Sequence, residues 1–242
     1  MADTRVTALA AGGPGLVAVG IAGSAGEPGP AVVWTSSDGR AWRRVPDKPE
    51  LHDARLRSVA AVPGVGLVAV GENLAGSFGV VLLSSDGVRW RRVDSPALGR
   101  VDIQVRLNDV VAGVSGAVVV GTATEGIQYG ESVIWTSPDG VAWTREPLTL
   151  ALSDGEMNAA SGWGSRILAV GDRGAPDAYV AQVWTSPEGW AFDGGGGPGS
   201  GAAPGWGAGP GSGAATTSAT APGSATAPGS GAAPSSGAAP SP

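Results

Sequence analysis

The stretch WTSPDGVAW, residues 135–143, decides the reading of this chain. Two tryptophans, a serine and an acid surround one glycine, a composition that suits an active site, a ligand loop or a turn. Its recurrence separates these. The pattern returns as WTSSDGRAW at 34–42, LLSSDGVRW at 82–90 and WTSPEGWAF at 184–192. The acid falls at Asp38, Asp86, Asp139 and Glu188, in steps of roughly 50 residues. A second marker runs in phase with it: GLVAVG at 15–20, GLVAVG at 66–71, GAVVVG at 116–121 and ILAVG at 167–171. A third is weaker: VTALAA at 6–11, LRSVAA at 56–61, LNDVVA at 107–112 and MNAASG at 157–162. Three markers in one order, four times over, mean four copies of one unit.

Each unit reads as four short strands. The VTALAA type comes first, followed by a Gly/Pro turn such as GGPG at 12–15. The LVAVG run comes second, and its unbroken apolar character suits a strand buried on both faces. A loop of variable length leads to a third strand of the AVVWTS type and a fourth of the AWRRV type. The acid–glycine pair between these two is a hairpin signal. Four antiparallel strands per unit of about 40–50 residues is the period of a β-propeller blade. The expected fold is therefore all-β and propeller-like, with four blades over 4–45, 55–93, 105–146 and 156–192, together spanning 1–192.

Composition agrees and narrows the chemistry. The chain holds 42 Gly, 19 Pro and 9 Trp in 242 residues, which favours strands and turns over helices. There is no cysteine, so no disulfide framework and no thiolate chemistry. His52 is the single histidine, which excludes a metal site with two histidine ligands. No metal and no cofactor is expected. A net charge of −6 argues against nucleic acid as a partner. The uncharged run from Val6 to Gly26 has the length of a membrane span, but its glycines break any helix. It reads as the first two strands of unit one. No signal peptide or membrane helix is visible, so the chain as written reads as cytoplasmic, or as extracellular if an upstream export signal is missing.

The repeated S-x-D-G-x-x-W closely resembles the Asp-box, or bacterial neuraminidase repeat, whose usual form S-x-D-x-G-x-x-W is one residue longer. The resemblance covers residues 4–192 and implies a propeller fold of the sialidase type. It also implies a structural role for the motif, at the turn between the third and fourth strands. The residue types fit that role. Asp38, Asp86, Asp139 and Glu188 can accept backbone amide hydrogens, as can Ser36, Ser84, Ser137 and Ser186. Gly39, Gly87, Gly140 and Gly189 permit a positive φ. Trp42, Trp90 and Trp143 can wedge a ring between neighbouring blades while the indole N–H finds an acceptor.

Function is then expected on the opposite face, where the second-to-third-strand loops and the inter-unit links open. Those loops vary in length and sequence, as binding loops on a repeated scaffold do. They carry Glu125, Tyr129, Glu131, Asp172, Arg173 and Tyr179. The leading reading is a non-enzymatic binding or scaffolding module for an unidentified protein or carbohydrate ligand. The alternative is a sialidase-like glycoside hydrolase or a fragment of one. The resemblance would then imply a tyrosine activated by a glutamate, a part echoed only by Tyr129 between Glu125 and Glu131. The arginines beside the motif tryptophans, Arg43, Arg44, Arg89, Arg91 and Arg92, read as edge-strand charges that discourage sheet-to-sheet association.

Unit four departs from the pattern. It has Glu188 for Asp and Phe192 for Trp, and no fourth strand follows in sequence. Residues 193–242 are Gly, Ala, Pro, Ser and Thr apart from Asp193 and Trp206, a composition expected to be disordered. That tail reads either as a genuine linker or as out-of-frame translation of a longer propeller. The incomplete fourth blade leaves three arrangements open: a closed ring, an open arc, or self-association that completes the ring.

Overall fold

The computed structural model describes residues 3–23, 26, 28–99, 103–125, 130–148, 152–163, 165–174, 178–186 and 207–208. They form four antiparallel sheets of four strands, each sheet in sequence order. Unit one holds β1 (Thr4–Gly12), β2 (Gly15–Gly23), β3 (Pro28–Ser36) and β4 (Arg43–Arg44). Unit two holds β5 (Arg55–Val62), β6 (Gly66–Glu72), β7 (Gly79–Ser84) and β8 (Arg91–Arg92). Unit three holds β9 (Ile103–Gly113), β10 (Gly116–Glu125), β11 (Glu131–Ser137) and β12 (Thr144–Arg145). Unit four holds β13 (Gly155–Trp163), β14 (Arg166–Arg173), β15 (Val180–Thr185) and β16 (Gly207–Ala208). One helical turn, α1 (Pro49–His52), and a 3-10 turn at Pro96–Leu98 sit in the links. The fold is all-β and propeller-like. No helix among the described residues is long and apolar enough to cross a membrane.

The first strands β1, β5, β9 and β13 touch one another from unit to unit, so they are the innermost. The second strands lie between two neighbours, and those of units one to three are buried on both faces, with Val17, Val19, Val68, Val70, Val119 and Val120 fully enclosed. Each such side chain contributes about 1.5–3 kcal/mol relative to exposure.

Three apolar cores join the units. One packs Val17, Val19 and Val33 of unit one against Leu56, Leu67, Leu82 and Trp90 of unit two. The next packs Val68, Val70 and Val81 of unit two against Leu107, Val119, Trp135 and Trp143 of unit three. The third packs Val118, Val120 and Ile134 against Met157, Ile167 and Trp184 of unit four. Each interface sets one unit's valine face on the next unit's Leu/Met/Trp face.

Among the described residues no fourth core joins unit four to unit one. Val170 and Val183, at the positions of the buried Val19 and Val33, are 47% and 45% exposed. Val6, Leu9 and Trp42, at the positions of the buried Leu56, Val59 and Trp90, are 57%, 56% and 40% exposed. Among the described residues the four units therefore form an open arc, and none of those residues covers its two end faces.

Two expectations need correction. Trp42 does not wedge between blades, because none of the described residues packs a neighbouring unit on its side of unit one. The fourth strand of unit four is not absent. Gly207–Ala208 pairs with β15 through Trp184↔Ala208 and Thr185↔Gly207. This is the register of Trp34↔Arg44 and Thr35↔Arg43 in unit one. A two-residue outer strand needs only backbone hydrogen bonds, so a Gly-Ala pair from the low-complexity segment suffices. The rest of 193–242 lies outside the described residues, as do Glu188, Gly189 and Phe192.

Candidate functional site

The acid–glycine turns are closed by their own side chains. In unit two, Asp86 Oδ1 accepts the Val88 and Arg89 amides at 2.9 and 2.8 Å. The Ser84 hydroxyl accepts the Gly87 amide at 2.8 Å and donates to Asp86 at 3.2 Å. Trp90 Nε1 donates to the Gly87 carbonyl at 3.0 Å. Units one and three repeat the arrangement around Asp38 and Asp139. Trp42 and Trp143 donate to Gly39 and Gly140 at 3.2 and 2.8 Å. The glycines sit at φ 74, 71 and 75°, where a Cβ is disfavoured. The Ala41, Arg89 and Ala142 amides, each followed by a second backbone N–H, hold the Asp38, Asp86 and Asp139 carboxyls below the usual carboxylate range. In each of these three turns Oδ1 is committed to the turn by the serine hydroxyl and two backbone amides.

The opposite end is built differently. Each innermost strand carries one extra residue against its partner. Register slips between Val6 and Ala8, and between Leu56 and Ser58. It slips again between Asp109 and Leu107, and between Met157 and Ala159. The bulged residues are Thr7, Arg57, Asn108 and Asn158. Opposite each bulge stands the glycine of the second marker: Gly20, Gly71, Gly121 or Gly171. A Cβ there would overlap the backbone carbonyl oxygen of Arg5, Arg55, Arg106 or Glu156. The recurring glycine is therefore a consequence of the bulge, which brings the two backbones together.

The four bulges meet at the axis. Thr7, Arg57, Asn108 and Asn158, with Arg5, line one cavity of about 340 Å³ whose apolar wall is Val6 and Ile21. The bulges sit in the halves of the first strands nearest the second-to-third-strand loops, away from the acid–glycine turns. Their side chains are held from unit to unit. Thr7 Oγ1 donates to the Leu56 carbonyl at 2.7 Å, and Asn108 Nδ2 to the Met157 carbonyl at 2.8 Å. Arg57 turns instead to Glu72, with Nε–Oε2 at 2.5 Å and Nη2–Oε1 at 2.9 Å. Between units two and three Ser58 replaces that link, donating to Asp109 Oδ1 at 2.5 Å. Asp109 Oδ2 then accepts the Ala160 amide of unit four at 2.8 Å.

The loop residues singled out from sequence scatter around this cavity. Asp172 does not line it but bonds to a residue that does, accepting Asn158 Nδ2 at 3.1 Å. Glu131 is drawn outward to Arg145 at 3.4 Å. Arg173 donates to Ser153 at 3.4 Å. Glu125 and Tyr179 are exposed on the loop face. Tyr129 lies outside the described residues, so the echo of a Tyr–Glu pair has no geometry. The bulge residues themselves carried a signal that was not used: each is the second residue of the third marker, and all four are polar. Among the described residues no group of three metal-ligating side chains converges.

No known family's model matches the chain, and no curated protein matches it. Solved structures do. A Bombyx mori GH32 beta-fructofuranosidase, BmSUC1, is 16% identical over 77% of this chain and 46% of its own, with a TM-score of 0.45. A glycosyl hydrolase from Bacteroides ovatus is 14% identical over 76% of this chain and 67% of its own, at 0.47. A Trypanosoma rangeli sialidase is 17% identical over 71% of this chain and 29% of its own, at 0.45. The chain spans about half the length of the Bombyx enzyme.

Proposed function

We propose that the chain is a non-enzymatic propeller-like binding or scaffolding module of the Asp-box type. Its ligand, an unidentified protein or carbohydrate, meets the loop-side end of the axis. The observation that carries this is the convergence of four bulged side chains, one from each unit, on a single cavity. A repeated scaffold would place its variable, ligand-reading residues at such a point. The residues there vary, as Thr, Arg, Asn and Asn, while the three described turns at the other end repeat one structure.

What supports binding over hydrolysis is the state of the acids nearest the cavity. Glu72 is engaged by Arg57 through two contacts, and Asp172 by Asn158. A glycosidase needs one carboxyl free to give a proton and a second group free to attack or to activate water.

The test has two parts. The full chain at high concentration is incubated with fluorogenic sialosides and other aryl glycosides, and no turnover is expected. Hydrogen exchange is then compared with and without glycan and peptide library members that bind. Protection is expected on the segments 72–79 and 172–174 and on the innermost strands. Turnover, or protection confined to the acid–glycine turns, would overturn the reading.

A further inference from the structure

The hydrogen-bonding capacity left over in the axial cavity points to a chemical class of ligand. The inference rests on the binding reading above and goes further by saying what is bound. On the uncharged lining residues the protein has already used most of the donors. The Thr7 hydroxyl hydrogen goes to the Leu56 carbonyl, and the Asn108 amide hydrogens to the Met157 carbonyl and, at 3.5 Å, to Thr122 Oγ1. One Asn158 amide hydrogen goes to Asp172. What remains on these three residues is acceptor oxygen, on the Thr7 hydroxyl and the Oδ1 atoms of Asn108 and Asn158, together with the second amide hydrogen of Asn158.

The cations complete the picture. Arg57 is charge-neutralised by Glu72, whose side chain is only 7% exposed, and keeps free N–H groups on Nη1. Arg5 is exposed, and no bond is formed by its guanidinium among the described residues. The lining therefore presents three acceptors and three sources of donors, Arg57, Arg5 and the second Asn158 amide hydrogen, and among its described residues Arg5 is the one cation without an ion pair. A simple anion would answer the guanidinium groups but would set its own oxygens against three acceptor oxygens, which disfavours it. An ammonium ligand would suit the acceptors and be repelled by Arg5. A hydroxyl group donates and accepts at once, so several adjacent hydroxyls satisfy both sets.

The volume fits the same answer. About 340 Å³ lies at the small end of ligand pockets, which run roughly from 300 to 1,000 Å³. Val6 and Ile21 offer an apolar wall for the C–H face of a ring. We propose that the four bulges form a site for one neutral polyhydroxylated molecule, of monosaccharide or cyclitol size, and that Glu72 sets this preference by cancelling the charge of Arg57.

The proposal is tested with the full 242-residue chain by saturation-transfer NMR and calorimetry. The neutral probes are glucose, mannose, fructose, N-acetylglucosamine and myo-inositol. The anionic probes are glucuronate, N-acetylneuraminate and sulfate. At least one neutral probe is expected to bind, at least tenfold more tightly than any of the anionic ones. Asn158→Leu, on an exposed side chain, should weaken that binding about tenfold or more without moving the thermal midpoint. Glu72→Gln should raise affinity for glucuronate or sulfate by about tenfold relative to the neutral probe, because it frees the Arg57 charge.

Tighter binding of an anion by the unaltered chain would overturn the ligand class while leaving the axial binding reading intact. Neutral binding unaffected by Asn158→Leu would overturn the site. Absence of binding by every probe would overturn the proposal as well. The loop-face protection experiment above then decides separately whether the module binds anything there.

Discussion

At each of the three described acid–glycine turns one carboxylate oxygen takes two backbone amides, so ionisation of the acid and closure of the turn are linked. The folded values of Asp38, Asp86 and Asp139 lie below the usual 3.8. As pH falls, the unfolded chain therefore takes up protons first. The stability these turns contribute is complete above the unfolded value and is lost as pH drops through the folded values. Glu146 acts in the other direction, because burial raises its carboxyl despite the Thr136 hydroxyl bond. Comparing the parent chain with Asp139→Asn removes that background. Between about pH 5 and about pH 2 the denaturant midpoint of the parent should fall further than that of the variant. Equal falls would mean that the carboxylate is not the turn's acceptor. The axial glycines give a sharper test. Gly121→Ala forces a methyl group onto the Arg106 carbonyl and should cost about 3 kcal/mol or more, read as a lower midpoint at unchanged m-value. A loss below about 1 kcal/mol would mean that the bulge opposite Gly121 is not as described.

Among the elements, the same motif residue meets two fates. Trp143 is 6% exposed in the core between units two and three, whereas Trp42 is 40% exposed at the free face of unit one. Trp143→Ala should cost about 3–5 kcal/mol and Trp42→Ala less than about 1 kcal/mol. Equal costs would contradict an open end at unit one. This contrast also marks what sequence can carry. The four-strand unit was legible because turn chemistry is local: acid, glycine and tryptophan declare it within nine residues. Double-sided burial was legible in GLVAVG for the same reason. The bulges were not, because a bulge is a fact of register between two strands, and its one sequence trace is the partner glycine. The exposure of Trp42 was illegible because it depends on whether a neighbour exists. The fourth strand of unit four escaped because Gly207–Ala208 has no strand-forming side chains and is defined by backbone pairing alone.

For the whole molecule, the repeat makes the two end faces complementary halves of an interface that the chain forms three times internally. One end offers Val170 and Val183, the other Val6, Leu9 and Trp42. Exposed apolar surface of this kind drives association. Light scattering should show a mass that rises with protein concentration, and Val170→Lys with Val183→Lys should suppress the rise while leaving the fold intact by circular dichroism. A concentration-independent monomer in the parent chain would mean that these faces are covered in solution.

The central claim is that four units wrap a single axis and bring their innermost bulges together. The absence of cysteine makes the direct measurement clean. Thr7→Cys combined with Asn158→Cys places one thiol in the first unit and one in the last, at two positions that line the same cavity. A short bismaleimide should join them within one chain, in high yield and at low protein concentration. Failure to form that intramolecular link, with both thiols reactive and the chain folded, would contradict a shared axial site.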